Sequence, residues 1–99
     1  MKQKDIDKLL NGYSYFERRV WKVTSTIPAG QTRTYQWVAR QIGNPRAARA
    51  VGRALAKNPL LVVIPCHRVI RKDGSLGGYA LGKRKKGALL RKEALKLKS

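Results

Sequence analysis

Charge is the heaviest constraint on this chain: 23 lysines and arginines face only 5 aspartates and glutamates, a formal net charge of +18 over 99 residues. A chain of this length supports one hydrophobic core and therefore one domain. The excess of cations, spread along the chain from Arg18 to Lys98 and not confined to a tail, is expected on the outside of that core. Such a surface repels itself unless a polyanion neutralises it, and nucleic-acid phosphate does so with counterion release as an added driving force. A ribosomal-type RNA binder, a membrane-surface protein and a thermophile with a charged coat are the other readings of charge alone. The single cysteine, Cys66, cannot form an internal disulfide. No apolar run approaches the roughly 20 residues that span a bilayer, and Met1 to Leu10 lacks a signal-peptide core. The expectation is an intracellular, cytoplasmic monomer with no membrane association, held at the nucleoid in a prokaryote or in the nucleus of a eukaryote.

The punctuation of the sequence predicts a mostly α fold. Ser14 and Glu17 have capping-box spacing, and Phe16, Val20, Val23 and Ile27 recur at helical intervals until Pro28-Ala29-Gly30. After the polar stretch Gln31 to Arg33, Thr34 is positioned to cap a shorter helix with Tyr35, Val38, Ala39 and Ile42 on one side. Beyond a turn at Gly43-Asn44, Asn44 as cap and Pro45 as first residue predict a third helix running to about Lys57. On this helix Ala48, Val51, Gly52 and Leu55 share one face, while Arg46, Arg49, Ala50, Arg53 and Lys57 share the opposite one. Two helices joined by a tight turn, the second with a basic stripe kept thin by Ala47 and Ala50, suggest a helix-turn-helix. A solvated charged face on an ordinary helix would look similar, and the charge of the whole chain favours the groove-binding reading.

Further on, the β-branched run Leu60 to Ile64 predicts a buried strand ending at Pro65. Asp73-Gly74, between Val69-Ile70 and Leu76 to Tyr79, predicts a hairpin that would form a wing. From Lys83 the pattern is helical again, with Leu89, Leu90 and Leu95 apolar and Glu93 the one acid among cations. The expected fold is therefore mostly α with a small β hairpin: a single winged helix-turn-helix domain over residues 14–99, preceded by a basic leader over residues 1–13.

The segment Ile64-Pro65-Cys66-His67-Arg68-Val69 sets the one cysteine beside the one histidine. A free thiol with a pKa of about 8.5 needs a base or positive surroundings to become a good nucleophile at neutral pH. In an extended segment neighbouring side chains diverge, so His67 would reach Cys66 through a water molecule unless the backbone turns sharply. A carboxylate on the far imidazole nitrogen would fix its tautomer, and Glu93 is the best candidate. Asp5, Asp7, Glu17 and Asp73 sit in the leader, a helix start or a turn. A lone cysteine can equally be an inert, buried small hydrophobe. One Cys and one His fall short of the three or four ligands of a metal site.

Together these segments carry a resemblance. Pro45-Arg46-Ala47-Ala48-Arg49-Ala50-Val51-Gly52, Asn58-Pro59, Ile64-Pro65-Cys66-His67-Arg68-Val69-Ile70, Asp73-Gly74, Gly77-Gly78-Tyr79, then Lys86, Leu89-Leu90 and Glu93 closely resemble the O6-alkylguanine-DNA alkyltransferase family. The likeness runs from about Phe16 onward. It implies a winged helix-turn-helix that places its recognition helix in the minor groove of double-stranded DNA and flips an O6-alkylated guanine into a pocket. Carried over, Cys66 is the alkyl acceptor, His67 its water-mediated base, Glu93 the orienting carboxylate and Asn58 a support for the turn at the site. Tyr35, Gln36, Arg46, Ala47, Arg49, Ala50 and Arg53 would meet DNA, with Arg49 as the finger filling the vacated stack and Tyr35 rotating the nucleotide. Tyr35, Val69, Tyr79 and Ala80 would line the pocket. Transfer to sulfur is irreversible, so each molecule would act once, with no cofactor and no metal.

Two departures from the family pattern stand out. The N-terminal domain that relatives commonly carry is expected to be absent, with a short leader in its place. Ala80-Leu81-Gly82 follows Tyr79 where relatives often have a hydroxyl or a larger side chain. The nearest rival reading is an alkyltransferase-like protein that binds alkylated guanine and flags it for other repair proteins. Those proteins typically carry another residue, often tryptophan, where this chain has Cys66. A plain winged-helix transcription factor with an inert cysteine is a third reading.

Overall fold

A computed structural model describes Lys4, Asp5, Lys8 and residues 10–60, 64–77 and 81–98. Helix α1 spans Tyr15–Thr24 and begins as its capping box dictates. The Ser14 hydroxyl accepts the Glu17 amide at 3.1 Å, and the Glu17 carboxylate accepts the Ser14 amide at 3.1 Å. It stops before Ile27, earlier than its apolar pattern suggests. Thr24, Ser25 and Thr26 donate their hydroxyls to the carbonyls of Val20, Trp21 and Val23, and such local bonds compete with helix propagation. Tight turns from Val23 to Thr26 and from Thr24 to Ile27 then swing Ile27 into the core, where it is buried.

Strand β1, Arg33–Thr34, joins the end of the polar stretch to the residue that caps the next helix, where the sequence carries no strand signal. It pairs in parallel with β2, Val69–Ile70, in the register Arg33 to Val69 and Thr34 to Ile70. Helix α2, Tyr35–Gln41, is capped by the Thr34 hydroxyl, which accepts the Trp37 amide at 3.0 Å. Its end is a Schellman motif: Gly43 takes a positive φ of 80°, its amide reaches the Arg40 carbonyl and that of Asn44 reaches Ala39.

Helix α3 spans Ala48–Ala56 and begins later than Asn44-Pro45 predicts. Asn44 is already committed to closing α2, and its carbonyl accepts the Ala47 amide at 3.0 Å in a turn that precedes the helix. Ala47 thereby becomes the N-cap, without a side-chain cap bond, and is buried in the core. Val51, Ala54 and Leu55 face inward, while Arg46, Arg49, Arg53 and Lys57 are exposed.

Residues 61–63 of the expected strand lie outside the described residues. The Ile64 amide donates to the Leu60 carbonyl at 2.8 Å. The turn at Asp73-Gly74 forms, with Gly74 at φ 87° and Asp73 accepting both the amide and the hydroxyl of Ser75. Its return arm passes at Gly78 out of the described residues. Helix α4, Lys83–Lys98, closes the chain. The architecture is thus mostly α with a small two-stranded sheet, and α1, α2 and α3 pack on one another around Val20, Trp21, Val38 and Val51. Among the described residues no helix is long and apolar enough to cross a membrane.

Trp21 is the largest fully buried side chain, and its indole N–H donates to the Ala54 carbonyl at 2.9 Å, fastening α1 to α3. Tyr13 meets its ring edge-on at 5.0 Å, and Leu10 is buried in the same core, so residues ahead of α1 pack on the domain. Trp21→Phe removes the buried donor and leaves a void. It should lower unfolding free energy by about 2 kcal/mol, measured as a reduced urea midpoint.

Candidate active site

The site is built on a sharp turn of the backbone. Pro65 sits at φ −80° and ψ 62°, and the Cys66 amide donates to the Ile64 carbonyl at 2.8 Å, an inverse γ-turn that a ring-locked φ favours. A single 3-10 turn, Cys66–Arg68, follows at once. The extended geometry that would send Cys66 and His67 to opposite sides is therefore absent, and both side chains are buried, at 5% and 1% exposure. Asn58, the second residue past α3, staples the approach to this turn. Its amide donates to the Ile64 carbonyl at 2.9 Å and its oxygen accepts the Leu60 amide at 2.8 Å.

Glu93 reaches the turn from α4. Its Oε1 pairs closely with Nε2 of His67, its Oε2 accepts Nε of Arg68 at 2.9 Å, and the Gly30 amide donates to the same oxygen at 3.2 Å. Arg68 also donates through Nη1 to the Ile27 carbonyl at 2.8 Å, so the loop after α1 joins the network. Burial alone would raise the Glu93 carboxyl, but the hydrogen bonds from Arg68, His67 and Gly30 outweigh it and bring its pKa down to about 2. An ionised carboxylate can only accept, so Nε2 of His67 carries a proton. In the neutral ring the basic lone pair is then on Nδ1.

Burial pushes the Cys66 thiol up, with opposition from the Asn58 amide and the positive charge of Lys86. Lys86 is itself fully buried and donates from Nζ to the Val69 carbonyl at 2.6 Å and to that of Leu76. Tyr35, at the start of α2, is half-buried with its ring against Gly52 of α3 and its hydroxyl against Gly77. Burial also raises the Tyr35 phenol, and the charges of Arg71 and Cys66 act on it in opposite directions.

The structure gathers Cys66, His67, Glu93 and Asn58, four residues from three separate segments. Arg46, Arg49 and Arg53 lie on the exposed side of the α3 region, with Ala50 and Gln36 half-buried. Ala47 departs from the expectation of a surface contact, because the Asn44 turn tucks it into the core. Val69 is fully buried. Tyr79 and Ala80 lie outside the described residues. Arg68 and Lys86 were given no role from the sequence. For Lys86 a signal existed: 86, 90 and 93 follow helical spacing, which places it on the face of Leu90 and Glu93. Among the described residues no three His, Cys, Asp or Glu side chains gather as a metal site.

Residues 15–95 match the DNA binding domain of 6-O-methylguanine DNA methyltransferase. The chain is similar to the methylated-DNA--protein-cysteine methyltransferase of Mycolicibacterium paratuberculosis, at 54% identity over 87% of this chain and 52% of that protein. Its fold is similar to a crystal structure of Mycobacterium tuberculosis OGT in complex with DNA, with a TM-score of 0.83 and 51% identity over 84% of this chain and 52% of that one. It also resembles S. pombe Atl1 in complex with damaged DNA containing O6-carboxymethylguanine, with a TM-score of 0.70 and 33% identity over 79% of this chain and 74% of that one. The chain spans about half the length of the mycobacterial proteins.

The ionic network predicts a definite response to acid. The folded pKa of Glu93 lies below the ordinary 4.5, so its stabilisation is complete above that value and is lost as pH falls toward about 2. Glu93→Gln should therefore be less stable than the parent at neutral pH, and the gap should narrow on acidification below about pH 4. Urea unfolding of both proteins across that range measures it; a gap unchanged by acid would mean that the charge of Glu93 contributes nothing.

Proposed function

Since the chain belongs to the 6-O-methylguanine DNA methyltransferase family, we propose that it moves an alkyl group from O6 of guanine in double-stranded DNA to Sγ of Cys66, once per molecule. The observation that carries this reading is the ionised Glu93 held on Nε2 of His67, one residue from a buried thiol at a turn of the backbone. In the proposed reaction His67 accepts the thiol proton at Nδ1, directly or through one water. The thiolate attacks the alkyl carbon as the bond from that carbon to O6 breaks. The electron pair passes into the purine, which takes up at N1, through solvent, the one proton that left the thiol, so that ordinary guanine forms and His67 returns to its neutral state. Glu93 stabilises the imidazolium without taking its proton, in keeping with its low pKa. A thioether on Cys66 is the end product, and no cofactor enters the balance.

Delivery of the base falls to the α3 region. Arg46, Arg49 and Arg53 present a basic surface for phosphate and groove contacts, with Arg49 entering the stack when the nucleotide is extruded into the minor-groove side. Unstacking costs a few kcal/mol, and Tyr35 would meet the extruded base, a role supported by its half-buried ring beside Gly52 and Gly77. Residues 14–99 act as the working domain, monomeric, wherever the cell keeps its DNA. The likeness to Atl1 supplies a second reading, lesion binding without transfer. The presence of Cys66 favours transfer.

Incubation with duplex DNA carrying O6-methylguanine, followed by intact-mass analysis, separates the two. A gain of one methyl group, lost in Cys66→Ser, is the expected result, and tight binding with no mass change would overturn transfer. His67→Ala should slow transfer by about a hundredfold or more, the usual worth of a positioned base, while leaving DNA affinity close to the parent value. Arg49→Ala should reduce base extrusion, read with a fluorescent base analogue, more than it reduces overall DNA binding.

A further inference from the structure

The outer side of α2 carries a cation that is held in place before any ligand arrives. At helical spacing Tyr35, Val38 and Ala39 turn inward, which leaves Gln36, Trp37 and Arg40 on the other side. Arg40 is exposed there, and Gln36 and Trp37 are half-buried. Arg33, in β1 just ahead of the helix, lays its guanidinium over the Trp37 ring, 5.5 Å from its centre. Nη1 donates to the Thr32 carbonyl at 2.8 Å and Nη2 to the Gln31 side-chain oxygen at 2.7 Å. These partners, an indole, a main-chain carbonyl and a side-chain amide, are all neutral. Among the described residues neither Arg33 nor Arg40 has a carboxylate partner. The guanidinium of Arg33 is thus fixed in position with its charge uncompensated, and part of its fork of N–H donors is left for another acceptor. A carboxylate in the place of Trp37 would fix it as well and cancel the charge.

We propose that Arg33, stacked on Trp37, is an anchor for a phosphate of the DNA backbone, and that Arg40 extends the same face. Helix α2 is the first of the helix-turn-helix pair, and in that arrangement the first helix crosses the backbone while the second enters the groove. Gln36, one of the residues expected to meet DNA, lies on this face, one turn before Arg40. A guanidinium gives a phosphate short, charge-assisted hydrogen bonds, and a side chain already ordered in the free protein loses little freedom on binding. Trp37 is not an open stacking platform for a base: Arg33 covers one side of the ring, and the side chain packs against the core. The anchor meets backbone and not base edges, so it fixes where the protein sits and carries no information about the lesion. It rests on the DNA-binding part of the function proposed above and is independent of alkyl transfer.

The test measures binding of a labelled, undamaged duplex by fluorescence anisotropy over a range of salt concentrations, for the parent, Arg33→Gln and Arg91→Gln. Arg91 is exposed on α4, so its replacement removes the same charge from a different helix and serves as the control. Arg33→Gln should lower the salt dependence by about one released counterion and weaken affinity roughly five- to tenfold at about 0.1 M salt. Arg91→Gln should keep the parent slope. Trp37 supplies an independent readout. Of the two tryptophans, Trp21 is fully buried, so acrylamide quenching reports Trp37, and bound duplex should protect it. Trp37→Leu, which keeps an apolar filling and removes the stack, should lose part of the affinity that Arg33→Gln loses. Equal slopes for Arg33→Gln and Arg91→Gln, or quenching that DNA leaves unchanged, would overturn the anchor. Should a variant fail to fold, protection of Trp37 in the parent decides. A parent that binds no duplex would overturn DNA binding and the anchor together. Binding by the parent without a methyl gain on Cys66 would remove the transfer reading alone.

Discussion

The carboxylate of Glu93 holds together more of this molecule than any other group described. It accepts from His67 and Arg68 on the cysteine turn and from Gly30 in the loop after α1, and Arg68 extends the connection to Ile27. One side chain on α4 thus fixes the orientation of the imidazole and the position of the loop that leads into β1. In a chain with 5 acids and 23 cations, acids are scarce, and those with defined partners are committed to structure. Glu17 caps α1 and meets Lys57, and Asp73 closes the turn at Ser75. The arginines of the α3 region consequently face solvent without a described acidic partner, and that is the electrostatic state that a polyanion relieves.

Burial makes the Cys66 thiol harder to ionise, and the surroundings answer in two ways. Low exposure raises the thiol by desolvation, which would leave an isolated Cys66 inert at neutral pH. The imidazole beside it is held in one tautomer by an anion, with its lone pair on Nδ1. Lys86 adds a positive charge that favours the thiolate. A dry site gains from this arrangement, because fixed charges act more strongly where water cannot screen them. The cost appears in Lys86, whose own pKa is dragged down by the same burial.

The parts of the structure that were legible in the sequence are those fixed by near neighbours. The capping box at Ser14 and Glu17, the Thr34 cap and the arginine spacing of the α3 region each depend on residues within a few positions, and each forms as read. Where two local signals competed, reading failed. Asn44 could end α2 or begin α3, and the Schellman closure took it, which moved the start of α3 to Ala48 and sent Ala47 inward. The β1 and β2 pairing was invisible because Arg33-Thr34 has no apolar pattern and its partner lies far along the chain. Arg68 and Lys86 were hidden by composition: in so basic a sequence, a cation that serves the interior looks like the many that coat the surface.

The link between the basic surface and the thiol is short and runs through one hydrogen-bonded side chain. Helix α3 is fastened to α1 through Ala54 and Trp21 in its last turn, and two residues past that same end stands Asn58. Asn58 holds the carbonyl of Ile64, the residue whose carbonyl also receives the Cys66 amide across Pro65. A displacement of α3 must therefore act on the cysteine turn through one side chain and one proline-locked bend, with little slack to absorb it. Tyr35 and the 71–77 loop meet through Gly77, and Lys86 lies between them, donating to the Leu76 carbonyl with its Nζ 5.8 Å from the Tyr35 ring centre.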